Sequence, residues 1–449
     1  MAKSLTTGTP AKLILKFALP LLAGNLFQQI YNMADTLIVG RTLGVHALGS
    51  VGSTGSLMFL IIGFIQGMSS GFAIVTAQYF GAKRLADVRM SFCVSIALAA
   101  VVGVILTTVS YTYAYDILRM MRTPPEIIDG AHTYIGTIYL GLGAFIMFNL
   151  LAGTILALGD SKTPLLFLVI ACVLNIILDF TFIVGFGWGI AGASRATVLA
   201  QSVSALLCAW YLIKKQPALL LRKKDWRRVT LRALGRSARI GLPMGFQASV
   251  IAVGTIILQW ALNSLGPIAV ASCAVAQKID IVGILPLMSF GLAMATYTGQ
   301  NYGAGEIGRI RKGVRQCAAI SLSFSVLAGI TVICGGKYLA ALFVGPDQPE
   351  VMANAQTYLT FTGSMYWVLA LLFIFRYTLQ GLGQSIVPTI AGFMELAMRA
   401  VGAFVLLEAY GFSGVCAAVP LAWVGSCAPL AVAYVFSIRT LKAAVPAAE

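Results

Sequence analysis

The amino-acid sequence predicts an all-α membrane protein with twelve transmembrane helices in two six-helix lobes. Three observations lead to this fold class. The 449 residues are 59% hydrophobic and only 10% charged, whereas soluble domains carry about 25% charged residues. Apolar segments of about 20 residues, the length that crosses a bilayer, recur along the whole chain. The second half of the sequence also repeats landmarks of the first half.

Twelve apolar segments, separated by short polar breaks, have the length of a membrane-spanning helix. We place them at residues 13–39, 52–80, 90–115, 134–158, 164–187, 189–213, 239–264, 268–298, 313–335, 356–380, 386–408 and 414–436. The first segment is longer than a signal peptide, contains Asp35 and lacks a small-residue cleavage pattern, so we expect it to remain in the mature chain.

The net charge of +16 raises the question of a nucleic-acid partner, and the distribution of the charge answers it. Most lysines and arginines fall in the loops that share a side of the membrane with the N-terminus, above all in the run from Lys214 to Arg239. By the positive-inside rule this side is the cytoplasm. We therefore expect a multi-pass protein of the plasma membrane (in a prokaryote, the cytoplasmic membrane), with both termini cytoplasmic, lipid around it and no nucleic-acid partner.

The two halves of the chain repeat four landmarks in nearly one register. Pro20 in FALPLLAG corresponds to Pro243 in IGLPMGFQ, and Leu43-Gly44 to Leu265-Gly266. AQYFGAKR corresponds to GQNYGAGE, and LGDSKTP to LGQSIVP, with all offsets between 222 and 224. Two halves with six spans each enter the membrane in the same direction, so the repeat is parallel, with a pseudo-two-fold axis along the membrane normal.

This repeat sets the predicted domain boundaries. Residues 1–213 form an N-terminal lobe with spans one to six, residues 214–238 a basic cytoplasmic linker, and residues 239–449 a C-terminal lobe with spans seven to twelve. A cleft between two similar bundles can open to either side of the membrane when one bundle rocks against the other.

A carboxylate lies within the apolar first span. Asp35 continues a stripe formed by Asn25, Gln28 and Asn32, whose spacing of three and four residues stacks them on one helix face. An ionisable residue in a membrane helix is energetically costly and usually faces a bundle interior or a water-filled cavity. The stripe therefore indicates transport, and the alternative is a structural polar seam that fastens the first helix to a neighbour.

Several segments resemble the MATE (multidrug and toxic compound extrusion) transporters. They are LPLLAGNLFQQIYNMADTLIVGRTLGVHALGSVG, AQYFGAKR with its echo GQNYGAGE, and GDSKTP before the fifth span. The resemblance extends from about Pro10 to Lys442. It implies a V-shaped pair of lobes, and a secondary active antiporter that exports organic cations or amphipathic drugs in exchange for H⁺ or Na⁺ by alternating access. We expect a monomer with no enzymatic activity and no cofactor besides the coupling ion.

The resemblance also implies an ion-coupling site in the N-terminal lobe, as in the DinF-like branch of the family. Its members here are Asp35 in the first span, Tyr139 and Asn149 in the fourth, Asn175 and Asp179 in the fifth, and Thr197 in the sixth. Asn175 and Asp179 are four residues apart and share a helix face. By helical rise, Asn149 comes out deeper in the membrane than the others. Oxygen-rich groups suit Na⁺, with Asp35, Asn175 and Asp179 as ligands, and two carboxylates also suit a proton.

Polar, aromatic and methionine side chains suit an adaptable cavity for flat cationic drugs. The candidates for such a substrate cavity are Asn25, Gln28, Tyr31, Asn32, Met147, Met288 and Met294.

The C-terminal lobe carries four intramembrane charges, Lys278, Asp280, Glu395 and Arg399. Glu395 and Arg399 are four residues apart, so we predict an ion pair within one helix. Lys278 and Asp280 are two apart and point to nearly opposite faces, so we expect at least one of them to reach Arg399 or Glu395 or to face the cavity. The NorM-like branch places an acidic ligand in the seventh span, but residues 243–255 contain none.

Other classes of membrane protein fit the sequence less well. A lipid-linked oligosaccharide or lipid flippase of the same superfamily is the nearest alternative, and it requires a cationic cavity and more spans. An enzyme or an ATP-driven pump is disfavoured because the sequence lacks HExxH and GxxxxGK[ST] motifs. A channel stays open as an alternative, although duplicated lobes with carboxylates within the spans favour alternating access.

Overall fold

The computed structural model describes residues 4–216, 219–345 and 347–443, and every regular element within these ranges is helical. The helices of the first half are α1 (Pro10–Leu43), α2 (Val45–Ser53), α3 (Gly55–Gly81), α4 (Leu85–Met120), α5 (Pro125–Leu140), α6 (Leu142–Ala157), α7 (Lys162–Asp179) and α8 (Gly189–Lys215). They are followed by α9 (Lys223–Trp226), α10 (Leu231–Ser264), α11 (Pro267–Gly303), α12 (Ile307–Val344), α13 (Pro349–Ser364), α14 (Tyr366–Gly381), α15 (Ile386–Val401) and α16 (Leu407–Ala443).

The described helices form twelve spans, as predicted. Nine helical segments are each long and apolar enough to cross a membrane. Two bent pairs, α5 with α6 and α13 with α14, pass the same test together. The longest segment, Ile386–Leu441, contains 56 residues and is broken at Gly411, where φ is 55° and ψ is −132°. Glycine suits this backbone because it has no Cβ to clash.

The two bent spans occupy equivalent places in the two halves of the chain. The bend between α5 and α6 is 47° and falls at Gly141, and the bend between α13 and α14 is 49° and falls at Met365. Both spans also begin earlier than predicted, at Pro125 and Pro349. Proline is favoured in the first turn of a helix, where its missing N–H is not needed. The first turns of these helices are polar, so a search for apolar segments places the helix starts too late.

The described residues pack into two compact units, which differ from the predicted lobes. One unit contains Ala23–Gly245, and the other contains Leu5–Leu22 and the described residues from Phe246 onward. Thus α1 and α10 each change unit two residues after their internal proline, Pro20 and Pro243. The predicted boundaries at 213 and 239 followed the order of the chain, and that order does not reveal this exchange.

The repeated motif explains part of the exchange in the N-terminal unit. In AQYFGAKR, Gln78 Oε1 and the Tyr79 hydroxyl accept hydrogen bonds from Arg236 of α10 at 3.0 and 2.9 Å. Glycines then bring the helices together, because a Cβ added to Gly71 of α3 would lie 2.5 Å from the Cα of Gly241. Such close approach of backbones is a common mode of helix packing in membranes.

The second copy of the motif has the same role in the C-terminal unit. In GQNYGAGE, Gln300 Oε1 accepts a hydrogen bond from the Leu5 N–H (2.8 Å), and Asn301 Nδ2 donates one to the Leu5 carbonyl (3.2 Å). Arg309 donates to the Gly8 carbonyl at 2.9 Å. Each copy therefore hydrogen-bonds to a segment from the other half of the chain.

The described part of the predicted basic linker, residues 214–238, contains the end of α8, the short helix α9 and the start of α10. Asp225 is 1% exposed and accepts hydrogen bonds from the Arg222 N–H (2.9 Å) and from Arg89 Nε (3.2 Å). Helix α10 already begins at Leu231, so the last residues of the predicted linker belong to the seventh span.

Candidate ion and substrate site

Two buried carboxyl groups meet in the N-terminal unit, and we call them the carboxyl pair. Asp35 of α1 is 8% exposed, and Asp179, the last residue of α7, is fully buried. They lie within hydrogen-bonding range of each other. In the ionised form, Asp35 Oδ1 and Asp179 Oδ1 are both buried without a hydrogen-bond partner. No lysine, arginine or histidine in the described ranges forms an ion pair with either group.

The local backbone places Asp179 at an irregularity of the fifth span. Helix α7 ends at Asp179, and the chain continues as a π-helical turn over Phe180–Gly185. Such turns change the direction in which side chains leave the helix, and they are frequent at functional sites. Asp179 therefore points into the unit from the junction of two kinds of helix.

Asn175 links the carboxyl pair to α8. It lies one helical turn before Asp179 and is fully buried. In the amide orientation that satisfies both of its partners, its nitrogen donates to Asp179 Oδ2 (2.9 Å) and its oxygen accepts from the Thr197 N–H (3.2 Å). The structure thus brings together four of the predicted residues, namely Asp35, Asn175, Asp179 and Thr197.

Two tyrosines complete the surroundings of the carboxyl pair. The Tyr31 hydroxyl, on the same helix as Asp35, lies 3.4 Å from Thr197 Oγ1. Tyr134 of α5 is 3% exposed, and its hydroxyl group lies near the Asp35 carboxyl group. Helices α1, α5, α7 and α8 therefore supply a ring of carboxyl, amide and hydroxyl oxygens. These groups can bind a proton or a hard cation, which prefers oxygen ligands.

The structure does not bring Tyr139 and Asn149 into this ring. Tyr139 is 2% exposed and packs in a hydrophobic cluster with residues of α3 and α4. The side-chain nitrogen of Asn149 donates to the Phe145 carbonyl of its own helix at 2.8 Å. The tyrosine beside Asp35 is Tyr134, five residues before Tyr139, which puts it on a different face of α5. The fourth span contains both tyrosines, so the sequence alone did not distinguish them.

Six of the seven candidate cavity residues keep some exposed surface, and one does not. Gln28 and Asn32 remain together, with Gln28 Nε2 donating to Asn32 Oδ1 at 3.4 Å. The half-buried or exposed residues are Asn25, Gln28, Tyr31, Asn32, Met147 and Met288. Met294 is fully buried, so it packs in the interior of the C-terminal unit instead of lining an open surface.

The predicted Glu395–Arg399 pair is part of a larger buried cluster. Glu395 Oε1 accepts from Arg399 at 2.7 Å, and Glu395 Oε2 accepts from Arg376 of α14 at 2.8 Å. Arg399 also donates to the Ile251 carbonyl of α10 at 3.0 Å. All three charged side chains are less than 9% exposed. The sequence missed Arg376 as the second partner because it lies on another span.

Neither Lys278 nor Asp280 reaches Glu395 or Arg399. Glu395 already holds two guanidinium groups, one on each carboxylate oxygen. The exposed Lys278 ammonium lies 6.0 Å from the Phe343 ring centroid. Asp280 is 3% exposed and instead accepts a hydrogen bond from a tyrosine hydroxyl.

Twelve apolar spans with a buried, uncompensated carboxyl pair define an integral membrane protein of the transporter class. The chain belongs to the MATE family, since the profile of the family described as MatE matches residues 20–181 and 243–405. The profile of the lipid II flippase MurJ matches a shorter part, residues 132–271.

Curated relatives cover most of the chain. The probable multidrug resistance protein YpnP of Bacillus subtilis is 27% identical over 86% of this chain and 85% of its own. The probable multidrug resistance protein NorM of Thermotoga maritima is 26% identical over 93% of this chain and 89% of its own. The DNA damage-inducible protein F of Escherichia coli is 25% identical over 76% and 75%.

Solved structures share the fold. A crystal structure of MATE in complex with MaL6 superposes with a TM-score of 0.88 at 22% identity, covering 98% of this chain and 99% of the other. A MOP superfamily transporter from Pyrococcus furiosus superposes with a TM-score of 0.87, also at 22% identity, over 98% of both chains.

Proposed function

We propose that this protein is a secondary active antiporter that exports organic cations or amphipathic drugs in exchange for H⁺, or for Na⁺ bound by the same oxygens. The observation that carries the proposal is the carboxyl pair of Asp35 and Asp179, buried side by side with no cation against it in the described part of the chain. The multidrug resistance proteins among the relatives support the choice of cargo.

The carboxyl pair suits an exchange of positive charges. Two ionised carboxylates in a site of low dielectric repel each other, and this arrangement disfavours the doubly charged state. One proton between Asp35 and Asp179 would remove one of the charges and provide a partner for an orphaned Oδ1 atom. A cationic drug would neutralise the pair with its own positive charge. The proton and the drug then compete for the same negative charge.

Competition alone does not move a substrate across the membrane. Transport requires that the proton-bound and drug-bound forms favour different conformations, because a ligand shifts an equilibrium only by its differential affinity for the two states. Tyr134 lies on α5, the helix that ends at the bend at Gly141. We propose that protonation of the pair changes this part of the unit and so favours release of the drug to the outside.

The test uses purified protein in liposomes loaded with a fluorescent organic cation. A proton gradient and a sodium gradient are imposed separately, and efflux is followed. We expect gradient-driven efflux in the wild type, its loss in Asp35→Asn, and its retention in Asp116→Asn, which removes an exposed carboxylate. The gradient that drives efflux identifies the coupling ion. Efflux at the wild-type rate in Asp35→Asn would contradict the proposal.

A lipid flippase is the second candidate function, because the MurJ profile matches residues 132–271. An anionic pyrophosphate head group needs a cationic site. The carboxyl pair supplies the opposite charge, and the guanidinium groups of Arg376 and Arg399 are engaged by Glu395. Drug export therefore fits these side chains better. Translocation of a fluorescent lipid by the wild type, without drug export, would favour the flippase.

A further inference from the structure

The C-terminal unit contains a second buried carboxyl group in a setting of hydroxyl groups. Asp280 of α11 is 3% exposed. Its Oδ1 accepts a hydrogen bond from the Tyr366 hydroxyl of α14. The hydroxyl groups of Tyr358 and Thr362 of α13 also lie near this carboxyl group, and the two residues are 5% and 0% exposed. Three hydroxyl groups from the two helices of the bent tenth span therefore surround Asp280.

The groups that face Asp280 supply no compensating positive charge. On its own helix, Lys278 turns away toward Phe343, and Cys273 presents a thiol. From α16, Cys416 adds a second thiol next to Tyr358. None of the five ion pairs in the described ranges includes Asp280.

The two buried guanidinium groups in the described part of this unit, those of Arg376 and Arg399, are also engaged elsewhere. Arg376 and Arg399 both bind Glu395, at 2.8 and 2.7 Å. An isolated carboxylate within a membrane costs a few kcal/mol or more. A proton bound to Asp280 removes that charge. The resulting carboxylic acid OH can donate a hydrogen bond to one of the surrounding hydroxyl oxygens.

The helix surface beside Asp280 is shaped to admit the tyrosine ring. Gly283 lies three residues after Asp280, on the same face of α11. A Cβ added to Gly283 would lie 2.8 Å from Cε2 and 3.0 Å from the hydroxyl oxygen of Tyr366. Glycine at this position therefore leaves the space through which Tyr366 reaches the carboxyl group.

The site in the C-terminal unit parallels the one in the N-terminal unit. Tyr134 precedes the bend at Gly141 by seven residues, and Tyr358 precedes the bend at Met365 by seven residues. Each tyrosine lies near the buried carboxyl group of its own unit. The carboxyl groups come from non-equivalent helices, α1 and α11, so a search for repeated acidic residues in the sequence does not reveal the parallel.

We propose that Asp280 is a second proton-binding site of this protein, independent of the carboxyl pair and formed with the hydroxyl groups of Tyr358 and Tyr366. Tyr366 is the first residue after the backbone break at Met365. A change in the bend of the tenth span therefore moves the Tyr366 hydroxyl relative to Asp280. Proton binding at Asp280 and the bend of this span influence each other for that reason.

Infrared spectroscopy tests the proposal without relying on transport. Spectra of the protein in lipid are recorded over a range of pH for the Asp35→Asn/Asp179→Asn variant, and the C=O stretch of a buried, protonated carboxyl group is followed. We expect such a band to remain in this variant, to disappear as the pH is raised, and to be absent once Asp280→Asn is added. Because this variant lacks the carboxyl pair, the outcome does not depend on the proposed drug exchange.

Tyr366→Phe provides a milder probe in case Asp280→Asn does not fold. It removes one hydrogen bond to the carboxyl group, so the band should shift in frequency and titrate at a different pH. Tyr377→Phe, on the same helix, is the matched control and should leave the band unchanged. A band that is absent from the Asp35→Asn/Asp179→Asn variant, or one that persists after Asp280→Asn, would overturn the proposal. So would a band that responds to Na⁺ at constant pH but not to pH.

Discussion

Asp35 and Asp179 lie on different helices, α1 and α7, yet their carboxyl groups come within hydrogen-bonding range in the interior of one unit. Each retains a buried Oδ1 atom without a partner when both are ionised. Two unit charges about 4 Å apart repel by roughly 4 kcal/mol at an effective dielectric constant of about 20. The pair therefore has a physical reason to take up one positive charge, and this property underlies the proposed exchange.

The two carboxyl groups should act as one unit in transport. Asp35→Asn and Asp179→Asn should each reduce gradient-driven efflux by about tenfold or more, within the range of typical coupling free energies. The double variant should be little worse than either single variant, because one substitution already removes the shared site. Initial efflux rates from liposomes provide the double-mutant cycle. Effects that multiply in the double variant would show that the two groups act separately.

Tyr134, and not Tyr139, should matter for transport. Tyr134→Phe removes the hydroxyl group that lies near Asp35, and hydrogen bonds to charged groups contribute about 1.5–3 kcal/mol. We expect efflux to fall by about tenfold. The matched control is Tyr139→Phe, since Tyr139 lies in a hydrophobic cluster, and its rate should stay near that of the wild type. Equal losses in the two variants would argue against the placement of Tyr134 beside the pair.

The sequence predicted the twelve spans because hydropathy and span length are properties of each segment alone. It could not reveal the bends at Gly141 and Met365, which break helices inside continuous apolar runs. Nor could it show that α1 and α10 each divide between the two units. That exchange depends on tertiary contacts such as those of Gln78 and Gln300.

The site was predictable only where it depends on the pattern within one helix. Asn175 and Asp179 share a face through helical periodicity, which the sequence displays directly. The choice between Tyr134 and Tyr139 depends on the rotation of α5 relative to α1, and no local pattern encodes it. The ion pair between Glu395 and Arg376 joins α15 to α14, and a pattern within one segment does not reveal such a contact between helices. The hydroxyl groups around Asp280 come from other helices and could not be predicted for the same reason.

The contact of α3 with α10 should not tolerate an added methyl group at Gly241. A Cβ there would lie 2.4 Å from the Phe72 ring, and overpacking of this kind costs about 1–3 kcal/mol. Gly241→Ala should therefore lower the melting temperature of the purified protein. On the same helix, Gly235 has nothing within 4 Å of an added Cβ. Gly235→Ala should be neutral or slightly stabilising through helix propensity, and a lower melting temperature for it than for Gly241→Ala would contradict this packing.

Asp160, in the LGDSKTP motif, should stabilise the start of α7 in a pH-dependent way. Burial disfavours its charged form, but hydrogen bonds from Thr163, Tyr211 and Lys162 outweigh this effect and lower its pKa below the ordinary value. Its contribution to stability is therefore complete above the unfolded-state pKa of about 4 and is lost as the pH falls through the lower folded-state pKa.

The Asp160→Asn variant tests this contribution. At neutral pH the asparagine oxygen can still accept hydrogen bonds, but the charge that strengthens them is lost, so the melting temperature in detergent should be lower than that of the wild type. The difference from the wild type should begin to shrink below about pH 4, where the aspartate of the unfolded chain takes up a proton, and should vanish below the lower folded-state pKa. Asp116→Asn, at an exposed position, should show no difference at either pH. A gap for Asp160→Asn that does not change with pH would mean that its charge is not involved.

Competition between protons and drug at the carboxyl pair is tested most directly by equilibrium binding. The affinity of purified protein for a permanently charged fluorescent cation is measured across a range of pH, with and without Na⁺. We predict that affinity falls as the pH falls in the wild type, and that this dependence disappears in the Asp35→Asn/Asp179→Asn variant. Wild-type affinity that is independent of both pH and Na⁺, or the same pH dependence in both proteins, would contradict exchange at Asp35 and Asp179.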